Sequence, residues 1–287
     1  DHIRQYLVMD PKSYFIFSPF QLLLKKIDKV LVIFMMSFVF MSPSLIASVD
    51  EQRAPKYSYE INDPTTSTVT EESFHKIFYG VFSLYQDDMR SFRVPVVPVP
   101  EWSNPYLTAY TANVDGIMKL GFWGGMARIP GMNDDAVALI TCHEVGHILG
   151  GSPYIRIAHP MYDGVSSEGQ ADYFATQVCL KKYFSRQVET LDYLNKAIDY
   201  PGSQLCHHSH ISSWEEAICL RTISAIRGFS SVMKLLKPDE GEFSLNWAEI
   251  KPATETLHNS YPKNQCRINT FLAGLFDQER PRCWFKK

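Results

Sequence analysis

Apolar and polar positions change their period several times along the chain, and each change marks an element. The run FHKIFYGVFSLY, residues 74–85, repeats its apolar positions at helical spacing, and Thr68 followed three residues later by Glu71 reads as a capping box ahead of it. FRVPVVPVP, residues 92–100, is β-prone but broken by prolines, which cannot donate to a ladder, so it can form an edge strand or an extended segment only. Between residues 106 and 123 two β-prone runs flank Asp115-Gly116, a turn pair suited to a two-residue hairpin, and predict two antiparallel strands. A helix is expected over residues 136–149, capped by Asn133 or Asp134 and stopped by Gly150 and Gly151. Another should open at Ser166 or Ser167 and carry EGQADYFATQVCLKKYF, with LDYLNKAIDY continuing or following it. Residues 214–236 predict a long helix and INTFLAGLF a short one in the tail. The expected fold is a mainly helical α+β domain with a small sheet preceding the 136–149 helix.

The N-terminal part follows a different pattern. Lys25, Lys26 and Lys29 precede the apolar run VLVIFMMSFVFM (residues 30–41), which is followed by a break at Ser42, Pro43 and Ser44 and by small residues at Ala47 and Ser48. That order is what a secretory signal peptide requires. Extended to Ala47, the run also approaches the roughly 18 residues of a minimal membrane span, so a retained anchor over residues 30–47 is the alternative. Residues 1–24 begin without Met and lie upstream of this signal, as an over-extended reading frame would. Residues 49–70 are polar, with Pro55, Pro64 and a TTSTVT run, and read as a leader. The expected divisions are therefore 1–48, 49–70 and a folded domain over 71–287.

Composition narrows the class. Of 287 residues 45% are hydrophobic and 21% charged, enough for a good-sized core in one or two domains. A net charge of -3 without a concentrated basic face argues against nucleic acid as a partner. Six cysteines, at 142, 179, 206, 219, 266 and 283, imply disulfides if the chain is exported, but their 15 possible pairings are equivalent in sequence. Cys142, beside a histidine, can be a buried free thiol or a bridge partner. No paired CxxC motif suggests a structural zinc cluster.

The stretch ALITCHEVGHILGG, residues 138–151, sets two histidines and a glutamate in an apolar helix, where burial costs free energy unless something satisfies them. Residues four apart share a helix face, so His143 and His147 can bind one metal ion, while Glu144 is turned toward an open coordination position. This is the HExxH arrangement, in which the histidines bind Zn²⁺ and the glutamate acts as general base. The pattern arises by chance in on the order of one such chain in a hundred, so its setting matters.

A catalytic zinc usually takes three protein ligands. A metzincin would place the third six residues after His147, where this chain has Pro153. His159 and Asp163 lie in a loop within reach. Glu168 is the better candidate, because Glu168 and Asp172 are again four apart near the start of a helix. One can bind zinc while the other accepts a ring N–H, that of His143, and fixes its tautomer. Acidic residues are also common at helix N-termini because the dipole favours them there. Ala171 and Ala175 are small enough to let the two helices approach closely.

These residues resemble those of the gluzincin metallopeptidases, most closely the group that contains the CAAX prenyl proteases, the bacterial heat-shock membrane protease and periplasmic outer-membrane-assembly peptidases. Three blocks carry the likeness: TAYTANVDGIMKLGFWGGMARIPGMNDDAVALITCHEVGH, then EGQADYFA, similar to an E-x-x-A-D-x-x-A block, and YPKNQCRI, with Pro262 and Arg267 in place. Tyr261 stands where the group usually has histidine, and the gap from His147 to Glu168 is short for it. With one candidate membrane segment, a multi-span protease is excluded. The resemblance implies a zincin-like domain with zinc held by His143, His147 and Glu168, Asp172 behind His143, and Glu144 as base. It further implies that the strand around residues 118–122 pairs with the substrate main chain, and that Tyr261 or Arg267 helps hold the oxyanion. On their residues alone, Tyr261 is equally a core aromatic and Arg267 a surface ion-pair partner.

CHHSH, residues 206–210, can be a second metal site but fits a solvated loop better, with no carboxylate or second cysteine near it in sequence. No Gly-rich phosphate loop or G-x-S-x-G elbow occurs. The expectation is an exported zinc-dependent endopeptidase, periplasmic or secreted, acting on a peptide or protein, with membrane contact only if the N-terminal segment is retained. The alternative is a zinc-stabilised periplasmic assembly or chaperone-like protein that binds without cutting.

Overall fold

A computed structural model describes residues 57–195, 202–207 and 212–287. The signal, the anchor and the first part of the leader lie outside these residues, as do the end of LDYLNKAIDY and His208 to His210 of the histidine cluster. The described segments belong to one folded unit.

Helix α1 (Glu71–Met89) starts at a reciprocal cap. The Thr70 hydroxyl accepts from Ser73 N at 3.1 Å, and the Ser73 hydroxyl accepts from Thr70 N at 3.1 Å. The cap lies two residues beyond the expected Thr68–Glu71 pair, because Thr68 is pinned elsewhere: its N–H donates to Met132 O at 3.1 Å. Tyr59 and Val69 are buried in the core, and Tyr59 N donates to Pro105 O at 2.8 Å, so residues 57–70 pack on the unit and are not loose.

Strands β1 (Val96–Glu101), β2 (Ala109–Val114) and β3 (Ile117–Trp123) form a sheet of order β1-β3-β2, with β1 parallel and β2 antiparallel to β3. The hairpin turns at Asp115 and Gly116, both at positive φ (53° and 80°). β1 holds Pro98 and Pro100 and is an edge, as its prolines require. β3 is the central strand, which corrects the expectation that residues 118–122 pair with a substrate: both sides of its ladder are already used. Hairpin closure puts β2 on one side and the parallel pairing puts β1 on the other. The edge that stays unpaired among the described residues and faces the motif helix is β2.

A one-turn helix α2 (Gly124–Ala127) leads to α3 (Asp134–Leu149), where the Asn133 side chain accepts from Ala136 N at 2.8 Å. Every residue of α3 from Asp135 to Ile148 is buried, because α1, α4, α7 and the sheet surround it. Gly151, at φ 77°, ends it. The expected second helix is divided into α4 (Glu168–Phe174), a π turn (Ala175–Cys179) and α5 (Leu180–Phe184). A short α6 (Gln204–His207), the long α7 (Ser213–Leu236) and α8 (Asn264–Leu275) complete the α+β unit.

All six cysteines are paired, as Cys142–Cys179, Cys206–Cys219 and Cys266–Cys283. Three bridges fit an oxidising environment. No helix among the described residues is long and apolar enough to cross a membrane.

Candidate metal centre

Two buried helices meet at the motif. α3 supplies His143 and His147, whose ring centroids are 4.7 Å apart, and with Glu144 their ligand atoms all lie within 4.8 Å of one another. α4 crosses against α3 at Gly146, where an added Cβ would stand 2.8 Å from Ala171 O, so the small residues in both blocks set the approach. That contact carries Glu168 to the rings: its Oε2 is 3.2 Å from His143 Nε2 and 3.7 Å from His147 Nε2.

An oxygen lies close to the far side of each ring. His147 Nδ1 lies 2.8 Å from Ser166 O, which requires a proton on Nδ1 and leaves Nε2 as a lone pair. His143 Nδ1 lies 2.8 Å from Asp172 Oδ1, and Asp172 is gripped in turn by Arg267, with Nε to Oδ2 at 2.8 Å and Nη2 to Oδ1 at 2.7 Å. Both Nε2 atoms face Glu168. Its Oε2 is buried with no hydrogen-bond partner among the described residues, a costly state unless a cation is shared there. Ligand atoms around a tetrahedral zinc, with bonds near 2.0–2.1 Å, lie about 3.3 Å apart, close to the separations seen. The motif group could hold a metal ion, and Glu168 stands at a distance that a further ligand would take.

Charge and burial act against each other at every group. Burial pushes the Glu144 carboxyl above the usual glutamate range, partly offset by the rings of His147 and His143 and by Thr111, whose hydroxyl donates to Oε2 at 2.9 Å. Burial would also raise Glu168, but His147, His143 and Arg267 together hold it below its ordinary value. For Asp172, burial is overcome by Arg267 and then His143, giving about 2. Burial lowers His143, yet the charges of Asp172 and Glu168 bring it to about 10 by favouring the charged ring.

The remaining candidates divide. Tyr261 is 44% exposed, and the charge of Glu168 pushes its phenol well above the ordinary tyrosine value. It is therefore not a core aromatic. Arg267 is buried, with Nε and Nη2 donating to Asp172, so it is not a surface ion-pair partner. His159 caps the short helix Pro160–Tyr162 by accepting from Met161 N, and Asp163 pairs with Arg93 at 2.7 Å; both are exposed and neither joins the centre. Of the CHHSH segment, Cys206 is committed to Cys219, and His207 Nδ1 lies 2.7 Å from Glu216 Oε1.

Sequence reasoning missed Thr111 and the Ser166 carbonyl. Thr111 carried only an alternation signal, since strand and helix are far apart in the chain, and a backbone carbonyl leaves no trace in residue type. No protein-family model matches the chain, and neither the curated proteins nor the solved structures hold a match to it. The His143-Glu144-His147 cluster fits an HExxH-type motif and could hold a metal ion.

Proposed function

We propose that the chain is a zinc-dependent endopeptidase of the gluzincin kind, with His143, His147 and Glu168 as ligands. The observation that carries this reading is the buried, unpartnered Glu168 oxygen set 3.2 and 3.7 Å from the Nε2 atoms of the two motif histidines. Zinc, when bound, supplies the Lewis acidity that makes water nucleophilic near neutral pH. Glu144, with Thr111 on its carboxylate, takes the proton of the attacking water and returns it to the leaving amine. The Tyr261 hydroxyl, kept protonated beside Glu168, donates to the developing oxyanion. Arg267 holds Asp172, and Asp172 orients His143. An extended peptide adds to the open edge of β2, next to Glu144.

A base beside the ligands favours cutting over mere binding, since a structural site has no use for one. The three disulfides support an exported location, periplasmic or secreted. Glu144→Gln should bind one zinc as the wild type does and hydrolyse casein or a peptide library about 10²- to 10⁴-fold more slowly. Equal hydrolysis by both proteins would overturn the assignment. A zinc-loaded wild type that cuts nothing would instead favour the assembly or chaperone-like alternative.

A further inference from the structure

Two of the three disulfides start one residue before a member of the centre. Cys142 precedes His143 and is bonded to Cys179, the last residue of the π turn that follows α4. Cys266 precedes Arg267 and is bonded to Cys283. Next to Cys283, the fully buried Trp284 lies over Gly169 so closely that a Cβ there would stand 2.3 Å from the indole. Gly169 adjoins Glu168. The two bridges thus reach α4 from opposite ends, one through its continuation and one through the tail packed on its first turn.

α4 needs such support. It has no side-chain cap, and the π turn at Ala175–Cys179 interrupts the regular α ladder of the helix it opens. It nonetheless carries a carboxylate whose oxygen gains no hydrogen bond among the described residues. A metal centre tolerates displacement of its ligands by only about 0.5 Å. The third bridge, Cys206–Cys219, joins α6 to α7, and neither carries a residue of the centre.

We propose that the Cys142–Cys179 and Cys266–Cys283 bridges are positioning elements of the metal centre, holding Glu168 and Asp172 against the two rings so that metal affinity depends on them. This rests on the ligand set proposed above. Because the loop-closure effect grows only logarithmically, the Cys206–Cys219 bridge, with a separation of 13 residues against 37 and 17, serves as a control of comparable stability.

The test compares three double variants of the full chain: Cys142→Ala with Cys179→Ala, Cys266→Ala with Cys283→Ala, and Cys206→Ala with Cys219→Ala. Zinc affinity is read by competition with a chromogenic chelator, and the visible absorption of bound Co²⁺ reports the coordination geometry. Loss of either positioning bridge should weaken zinc binding about 10- to 100-fold and alter the Co²⁺ spectrum, with the control unchanged on both readouts. Equal affinity in all three, or equal loss in all three, would overturn the proposal. Should a positioning variant fail to fold, Trp284→Phe carries the test: zinc binding must weaken several-fold, and unchanged affinity overturns the proposal. A wild type that binds no zinc would sink the ligand assignment itself, whereas a zinc-binding wild type with matching variants sinks this inference alone.

Discussion

Asp172 does two things with one carboxylate: it orients His143 and neutralises the buried Arg267. Asp172→Asn leaves that guanidinium unpaired, so it should cost about 3–5 kcal/mol in stability and weaken zinc binding as well, measured by denaturant unfolding and chelator competition. Its acid behaviour follows from linkage. Folded Asp172 titrates near 2, below the roughly 3.9 of an unfolded aspartate, so the folded state holds its proton less tightly. Its contribution to stability is then full above about pH 4 and is lost as pH falls toward 2. The acid branch of the wild-type stability profile over this window should flatten in Asp172→Asn, and an unchanged branch would count against the pairing. At this scale much was legible, because His143 with His147 and Glu168 with Asp172 are four residues apart on a helix, and that spacing is local geometry. The function of Arg267 was not legible: only packing shows that both its donor groups face Asp172.

Among the elements, the crossing of α3 and α4 matters most, and Gly146 makes it possible. A Cβ at 146 would meet Ala171 backbone at 2.8 and 2.9 Å, which a side-chain rotation cannot relieve. Gly146→Ala should therefore push α4 away, lowering stability by about 1–3 kcal/mol at unchanged m-value and weakening zinc binding several-fold. Unaltered zinc affinity would mean that the crossing does not set the ligand distance. The limits of α3 were readable because Asn133 and Gly151 are local signals. α1 starts two residues beyond the Thr68 expectation, because the Thr68 N–H goes to the distant Met132 carbonyl and Thr70 caps with Ser73 instead. The π turn after α4 had no local signal, and strand order could not be inferred from the alternation of any single strand.

For the whole molecule, the proposed ligand set couples metal binding to folding, since its residues come from two helices that converge only in the folded chain. At free zinc a thousand times its dissociation constant, the native state should gain about 4 kcal/mol, which for a unit of this size raises Tm by roughly ten degrees over the chelator-treated protein. Thermal unfolding with zinc and with EDTA checks this, and coincident curves would count against a metal centre. The sequence by itself determined the α+β class, the principal helices and the HExxH-type cluster that could hold a metal ion, because periodicity, capping and i,i+4 spacing act over a few residues. Only the tertiary structure decided which cysteines pair, that β2 and not β3 is the open edge beside the motif, and that Glu168 reaches both histidines with Arg267 behind Asp172. Those facts depend on distances between segments remote in the chain, which are set by how buried surfaces pack and not by any local repeat.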